Sequence, residues 1–141
     1  MASERVLQGR SVVAGEASGR PLVLEHGLSL AMALDVSSGR ITDVHSSHAG
    51  KSVTGRVLVM PAGRGSSSAS TALAEAIRLR TAPAAIVLTE VDEILVVGAL
   101  VARKLYGRTC PIVVVGAVDH ASIQTDELAA IRVDGSIVLA S

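Results

Sequence analysis

A chain of 141 residues with a single aromatic side chain, Tyr106, and no Trp or Phe has few ways to build an interior. Aromatic rings are the bulkiest material a core can use. Without them the interior must be assembled from Val, Leu, Ile and Ala, within a hydrophobic fraction of 49%. Branched aliphatic residues favour strands, and small ones let helices lie close on a sheet. The same composition also suits a flat apolar surface that mates with a partner, and a mean hydropathy of +0.50 raises that expectation.

The length fits one domain over residues 1–141, enough to bury a core without disulfide or metal staples. Thirteen Lys and Arg balance thirteen Asp and Glu, so the broad positive field of a nucleic-acid or anionic-membrane binder is missing. No nucleic acid or membrane is expected as a partner. The longest apolar run, residues 94–102, is about half of the ~20 residues a bilayer requires. The opening Met1-Ala2-Ser3-Glu4-Arg5 leads into polar residues, so no secretory signal and a cytoplasmic setting are expected. The lone Cys110 cannot close an internal disulfide, complete a four-ligand zinc site or hold an iron–sulfur cluster. It reads as a small core residue, no metal is expected on this chain, and any cluster has to come from elsewhere.

Residues 11–14, 19–24, 29–34, 39–44 and 55–60 read as short strands bounded by Gly, Ser or Asp. From residue 57 the pattern changes to strand, loop over 61–68 and helix over about 69–80, where Leu73 and Ile77 are one turn apart and Glu75 faces Arg78. A second unit follows: strand 84–88, then Thr89-Glu90-Val91-Asp92 in the pattern of a capping box, and a helix to Tyr106 ended by Gly107. That helix has acids at its start and Arg103 and Lys104 at its end, as the helix dipole prefers. Its middle, residues 94–102, is apolar all round, which predicts burial on more than one side. Residues 112–115 read as a buried strand, and Asp134-Gly135 between two apolar runs signals a hairpin. The predicted class is α/β, β-heavy in its first half, with two strand-to-helix units.

The loop Pro61-Ala62-Gly63-Arg64-Gly65-Ser66-Ser67-Ser68 joins a strand to a helix. Glycines let the backbone approach a ligand, and a helix start offers N–H donors and positive potential; three hydroxyls and a guanidinium complete an anion site in outline. The alternative is that the serines only cap the helix and the glycines only turn the chain. A nucleotide phosphate loop is excluded by the missing Gly-Lys-[Ser/Thr] ending. His45 and His48, with Asp43 and Lys51 near, form a second cluster, readable as solvated loop histidines, the lining of a shared site or, least of all, a metal pair. Glu90, Asp92 and Glu93 are explained by their place at a helix start.

The segment Gly50-Lys51-Ser52-Val53-Thr54-Gly55-Arg56-Val57-Leu58-Val59-Met60-Pro61-Ala62-Gly63-Arg64-Gly65-Ser66, followed by Thr81-Ala82-Pro83-Ala84-Ala85-Ile86-Val87-Leu88 and Asp92-Glu93-Ile94, resembles the small swivel subunit of aconitase X. Upstream, Gly39-Arg40-Ile41 with Asp43, His45 and Gly50 fits as well, so the resemblance spans roughly residues 5–118. It implies a single swivelling β/β/α domain that closes over a large subunit carrying an iron–sulfur centre, as a heterodimer. It also implies chemistry: in such hydro-lyases a serine alkoxide takes the proton α to a carboxylate while cluster iron draws off the hydroxyl. Carried over, Ser66 is the base, Gly63, Arg64, Gly65, Ser67, Ser68 and His45 bind a small carboxylate substrate, and the N–H groups of Ser67 and Ser68 hold the carboxylate.

This chain departs from the family at Ala31-Met32-Ala33-Leu34-Asp35, where an aromatic and a Gly-Gly pair are usual, and at Ser46-Ser47-His48, which lacks a proline. Both lie outside the serine loop and bear on substrate choice. The resemblance implies dehydration of cis-3-hydroxy-L-proline or, alternatively, of phosphomevalonate; eleven Arg against two Lys suggests a GC-rich bacterial source and the former. The ring amine of hydroxyproline would seek an acceptor from a partner or from Asp43 or His45. A rival of another class is a non-catalytic anion-binding or scaffold module.

Overall fold

The computed structural model describes residues 3–63 and 66–141. Strands β1 (Glu4–Gln8), β2 (Arg10–Val13), β3 (Ala17–Gly19) and β4 (Pro21–Val23) come first, then the short pair β5 (Leu34–Asp35) and β6 (Arg40–Ile41). The strand-to-helix units follow as β7 (Val57–Val59), α1 (Ser68–Leu79), β8 (Ala85–Leu88) and α2 (Glu93–Tyr106), with β9 (Ile112–Val114), α3 (Ala117–Ala121), β10 (Leu128–Ile131) and β11 (Ser136–Ala140) closing the chain. A five-stranded sheet runs in the order β2-β9-β8-β7-β4, parallel except for β2 at one edge. A four-stranded antiparallel sheet runs β1-β11-β10-β3.

The alternation of side chains along the central strands explains the layering. Leu58, Met60, Ile86, Leu88 and Ile112 point to one face and meet Leu73, Ile77, Leu95, Ala99 and Ala102 of the helices. Val57, Val59, Ala85, Val87 and Val113 point to the other and meet Ala129, Ile131, Ile137 and Leu139 of the antiparallel sheet. Large aliphatics face the helices and smaller ones face the second sheet, so a core with no buried Phe, Trp or Tyr among the described residues still closes. The β/β/α expectation holds in this sense: two sheets stacked, with helices on the outer side of the parallel one.

Helix α2 corrects one expectation. Only Leu95, Gly98, Ala99 and Ala102 are buried, and Val97, Leu100, Val101 and Leu105 are 41–65% exposed. A single sheet and one neighbouring helix cover one side of it; the other side is an apolar face open to solvent. Gly98 is where the helices come closest: a Cβ there would lie 2.6 Å from the Ser70 carbonyl oxygen and 3.0 Å from Ser70 Cα. Among the described residues no helix is long and apolar enough to cross a membrane.

Three further expectations change. Of the strand expected over 29–34 only Leu34, the first residue of β5, is extended; residues 29–33 turn, because the Ser29 carbonyl accepts the Ala33 N–H at 2.8 Å and its hydroxyl accepts that of Met32 at 3.2 Å, a local alternative to a ladder. The strand expected over 39–44 is limited to Arg40–Ile41, since Asp43 takes the N–H groups of His45 and Ser46 and turns the chain. The capping box fails too: Asp92 is the N-cap, its Oδ1 accepting from Ile94 N–H at 2.9 Å and Leu95 N–H at 3.2 Å, and Thr89 does other work. The Asp134-Gly135 hairpin is present, with Gly135 at φ +91° and Ile131 opposite Ile137.

Candidate functional site

The serine loop leaves the C-terminal end of β7, and its root is tied from three directions. The Met60 N–H donates to the Val87 carbonyl at 3.1 Å, and the Met60 carbonyl accepts from Nε2 of the buried His120 at 2.9 Å, which places the hydrogen on that nitrogen. Thr89 donates both its N–H, at 2.8 Å, and its hydroxyl, at 2.5 Å, to the Pro61 carbonyl. Gly63 lies against the Asp92 carboxylate so tightly that a Cβ would fall 1.6 Å from Oδ2. Asp92 also caps α2, so a side chain at residue 63 would have to push that capping carboxylate aside.

Arg64 and Gly65 lie outside the described residues. Beyond them Ser66, Ser67 and Ser68 are all exposed, and α1 begins at Ser68. Ser67 is the N-cap residue but makes no side-chain cap bond, and Ser68 is the first helical residue. Instead Ser66 Oγ and Ser68 Oγ share a hydrogen bond of 2.6 Å. The Ser68 N–H reaches Ser66 Oγ only at 3.4 Å, long enough that an anion could displace it. Ser66, Ser67 and Ser68 thus present hydroxyls at the start of a 12-residue helix, at the C-terminal end of the parallel strands, where open α/β sheets bind ligands.

The second cluster forms a cleft of about 360 Å³ lined by residues 24–28 and by Asp43 and residues 45–48. Asp43 Oδ1 accepts the His45 N–H at 3.0 Å, and Ser46 Oγ accepts the His48 N–H at 3.1 Å, so the loop is held by its own side chains. His45, His48 and Asp43 are brought together as expected; Lys51 does not line the cleft, although its charge reaches His48. Glu25 and His26 join them, and the sequence reading missed both. The signal was there: a polar Glu-His-Gly directly after an apolar strand, at its C-terminal end, is where α/β folds place binding groups. Burial, then Lys51, hold the His48 imidazole below its usual pKa, against an opposing pull from Glu25.

Among the described residues no group of three or more His, Cys, Asp or Glu converges as a metal site. Cys110 is fully buried, and burial pushes its thiol up to about 12. Because the thiolate is the reactive form, the native protein should resist iodoacetamide at pH 8 and be labelled only on unfolding, as mass spectrometry would show. Rapid stoichiometric labelling of native protein would contradict this burial.

A family model described as the aconitase X swivel domain matches residues 6–139. The chain belongs to that family. Cis-3-hydroxy-L-proline dehydratase of Pseudomonas aeruginosa is 45% identical to this swivel domain over 121 residues, 86% of the chain and 20% of the relative. The chain thus spans about a fifth of that protein's length. Phosphomevalonate dehydratase small subunit of Thermococcus onnurineus is 30% identical over 132 residues, covering 94% of this chain and 95% of the relative. The crystal structure of holo aconitase X from Thermococcus kodakaraensis superposes with a TM-score of 0.84 at 29% identity, over 96% of this chain and 98% of that one.

Proposed function

We propose that this swivel domain is the small component of an aconitase X-type hydro-lyase that dehydrates cis-3-hydroxy-L-proline, and that it supplies the serine base to a site shared with a large subunit. The observation that carries the reading is the Ser66–Ser68 hydroxyl array at the start of α1, in a chain 45% identical to a dehydratase of that substrate. Ser66 accepts the proton from the carbon α to the carboxylate, and the first N–H groups of α1, with Ser67, orient the carboxylate. Among the described residues Ser66 Oγ meets only the Ser68 hydroxyl and, at 3.4 Å, the Ser68 N–H, and a serine so placed is a weak base alone. It gains that character when a charge is brought beside it in the assembly.

The residues of this chain do not fit an iron–sulfur cluster, because its single cysteine is a buried thiol in the core. We assign such a cluster to the large subunit, and departure of the hydroxyl to groups outside this chain. The exposed apolar face of α2 supports a domain that works in an assembly. One observation favours a second reading, phosphomevalonate dehydration: the similarity to the Thermococcus onnurineus small subunit extends over 95% of that relative, at 30% identity. Assaying the pair reconstituted with its large subunit on both substrates separates the two. Turnover of hydroxyproline and none of phosphomevalonate is expected; the reverse would reassign the substrate.

A further inference from the structure

A cleft tied to the root of the serine loop carries a charge pattern that the proton transfer does not use. It is bounded by the loop after β4 and by the turn that starts at Asp43. The first of these is fastened to the root of the serine loop: the Leu24 N–H donates to the Val59 carbonyl at 2.8 Å, and the Leu28 N–H to Met60 Sδ at 3.3 Å. Among the described residues the lining holds two carboxylates, Glu25 and Asp43, one on each wall, together with His26, His45 and His48, and neither Lys nor Arg. Asp43 spends Oδ1 on the His45 N–H and keeps Oδ2 for another donor.

We propose that this cleft recognises the cationic secondary amine of the substrate, with Glu25 and Asp43 as its two acceptors, and that it is the element selecting an amino acid over a phosphorylated acid. The inference rests on the hydroxyproline reading above. A secondary ammonium has two N–H donors and a positive charge, matching two carboxylates on opposite walls. A phosphate asks for clustered donors and positive charge, and here it would meet two carboxylates instead. Among the described residues, Lys51 and Arg56 act on His48 from outside the lining. Burial first, then Lys51, lower the His48 pKa and so disfavour a positive charge on its ring. The volume of about 360 Å³ is in the range of small-molecule sites.

The test compares inhibition of the reconstituted enzyme by L-proline and by cyclopentanecarboxylate, which keeps the ring and the carboxylate and lacks the amine. Wild type should bind proline roughly tenfold or more tighter, and the doubly substituted Glu25→Gln, Asp43→Asn enzyme should lose that preference, because charge-assisted hydrogen bonds are among the strongest polar contacts. In the same variant KM for hydroxyproline should rise by about tenfold or more with kcat changed by less than about threefold, since the lost contact is made equally in ground and transition states. Circular dichroism and assembly with the large subunit should be unchanged, as both side chains are exposed. A variant that folds and assembles yet keeps the full preference for proline overturns this inference and leaves the dehydratase reading standing. A wild-type enzyme with no activity on hydroxyproline overturns the reading beneath it.

Discussion

Replacing Ser66 by alanine in the assembled enzyme should lower kcat by on the order of 10²-fold or more, the usual scale for a positioned proton acceptor. KM should change little, because the carboxylate is held by N–H groups that the substitution leaves in place. Folding should be unaffected, since Ser66 is exposed and, among the described residues, its hydroxyl meets only Ser68. Ser68→Ala is the control. It removes the 2.6 Å partner of Ser66 without touching the proposed base, so kcat should fall by no more than a few-fold. A large loss in Ser68→Ala with little in Ser66→Ala would move the base two residues along.

Gly98→Val should damage both stability and activity from a position that touches no ligand. The first atom of any side chain there would lie 2.6 Å from a backbone oxygen of α1, and backbone cannot swing aside as a side-chain tip can. The two helices must part, at a cost of about 2–3 kcal/mol and a fall in Tm of roughly 10 °C for a domain of this size. The contact is at Ser70, in the first turn of α1 and three residues past Ser67, so the serine array shifts with it. Thermal melts and kcat of the reconstituted enzyme measure the two effects. An unchanged or raised Tm would mean that the gain in helix propensity outweighs the clash, and that the helices are less closely packed than described.

The parallel units were legible because their chemistry is local and repeated. Residues 84–88 read as a strand by apolar run alone, and Gly107 after Lys104 reads as a helix end; the αL cap at Gly107, φ +69°, agrees. What escaped depends on partners distant in sequence. Strand β1 shows almost no pattern, since only Leu7 of its five residues is buried, and it exists because Val6 and its neighbours pair with Ile137 to Ala140 at the other end of the chain. Helix α3 is five residues long and is anchored by a bond from His120 to Met60, 60 positions away. Thr89 fits a cap by spacing, and only the fold reveals that its hydroxyl serves Pro61. The same limit applied to the site. The serine loop was visible as a string, whereas Glu25 and His26 became part of a site only when β4 was placed beside β7.

On the proposed function this chain completes an active site that it cannot form by itself, and a complementation titration of the two components puts that to the test. The purified large subunit would be mixed with increasing amounts of this chain while hydroxyproline dehydration is followed. Neither component alone should turn over substrate, and activity should rise and saturate at one swivel domain per large subunit, with Ser66→Ala saturating at the same ratio but at a rate lower by about two orders of magnitude. Full activity of the large subunit without this chain, or dehydratase activity in this chain alone, would contradict the account.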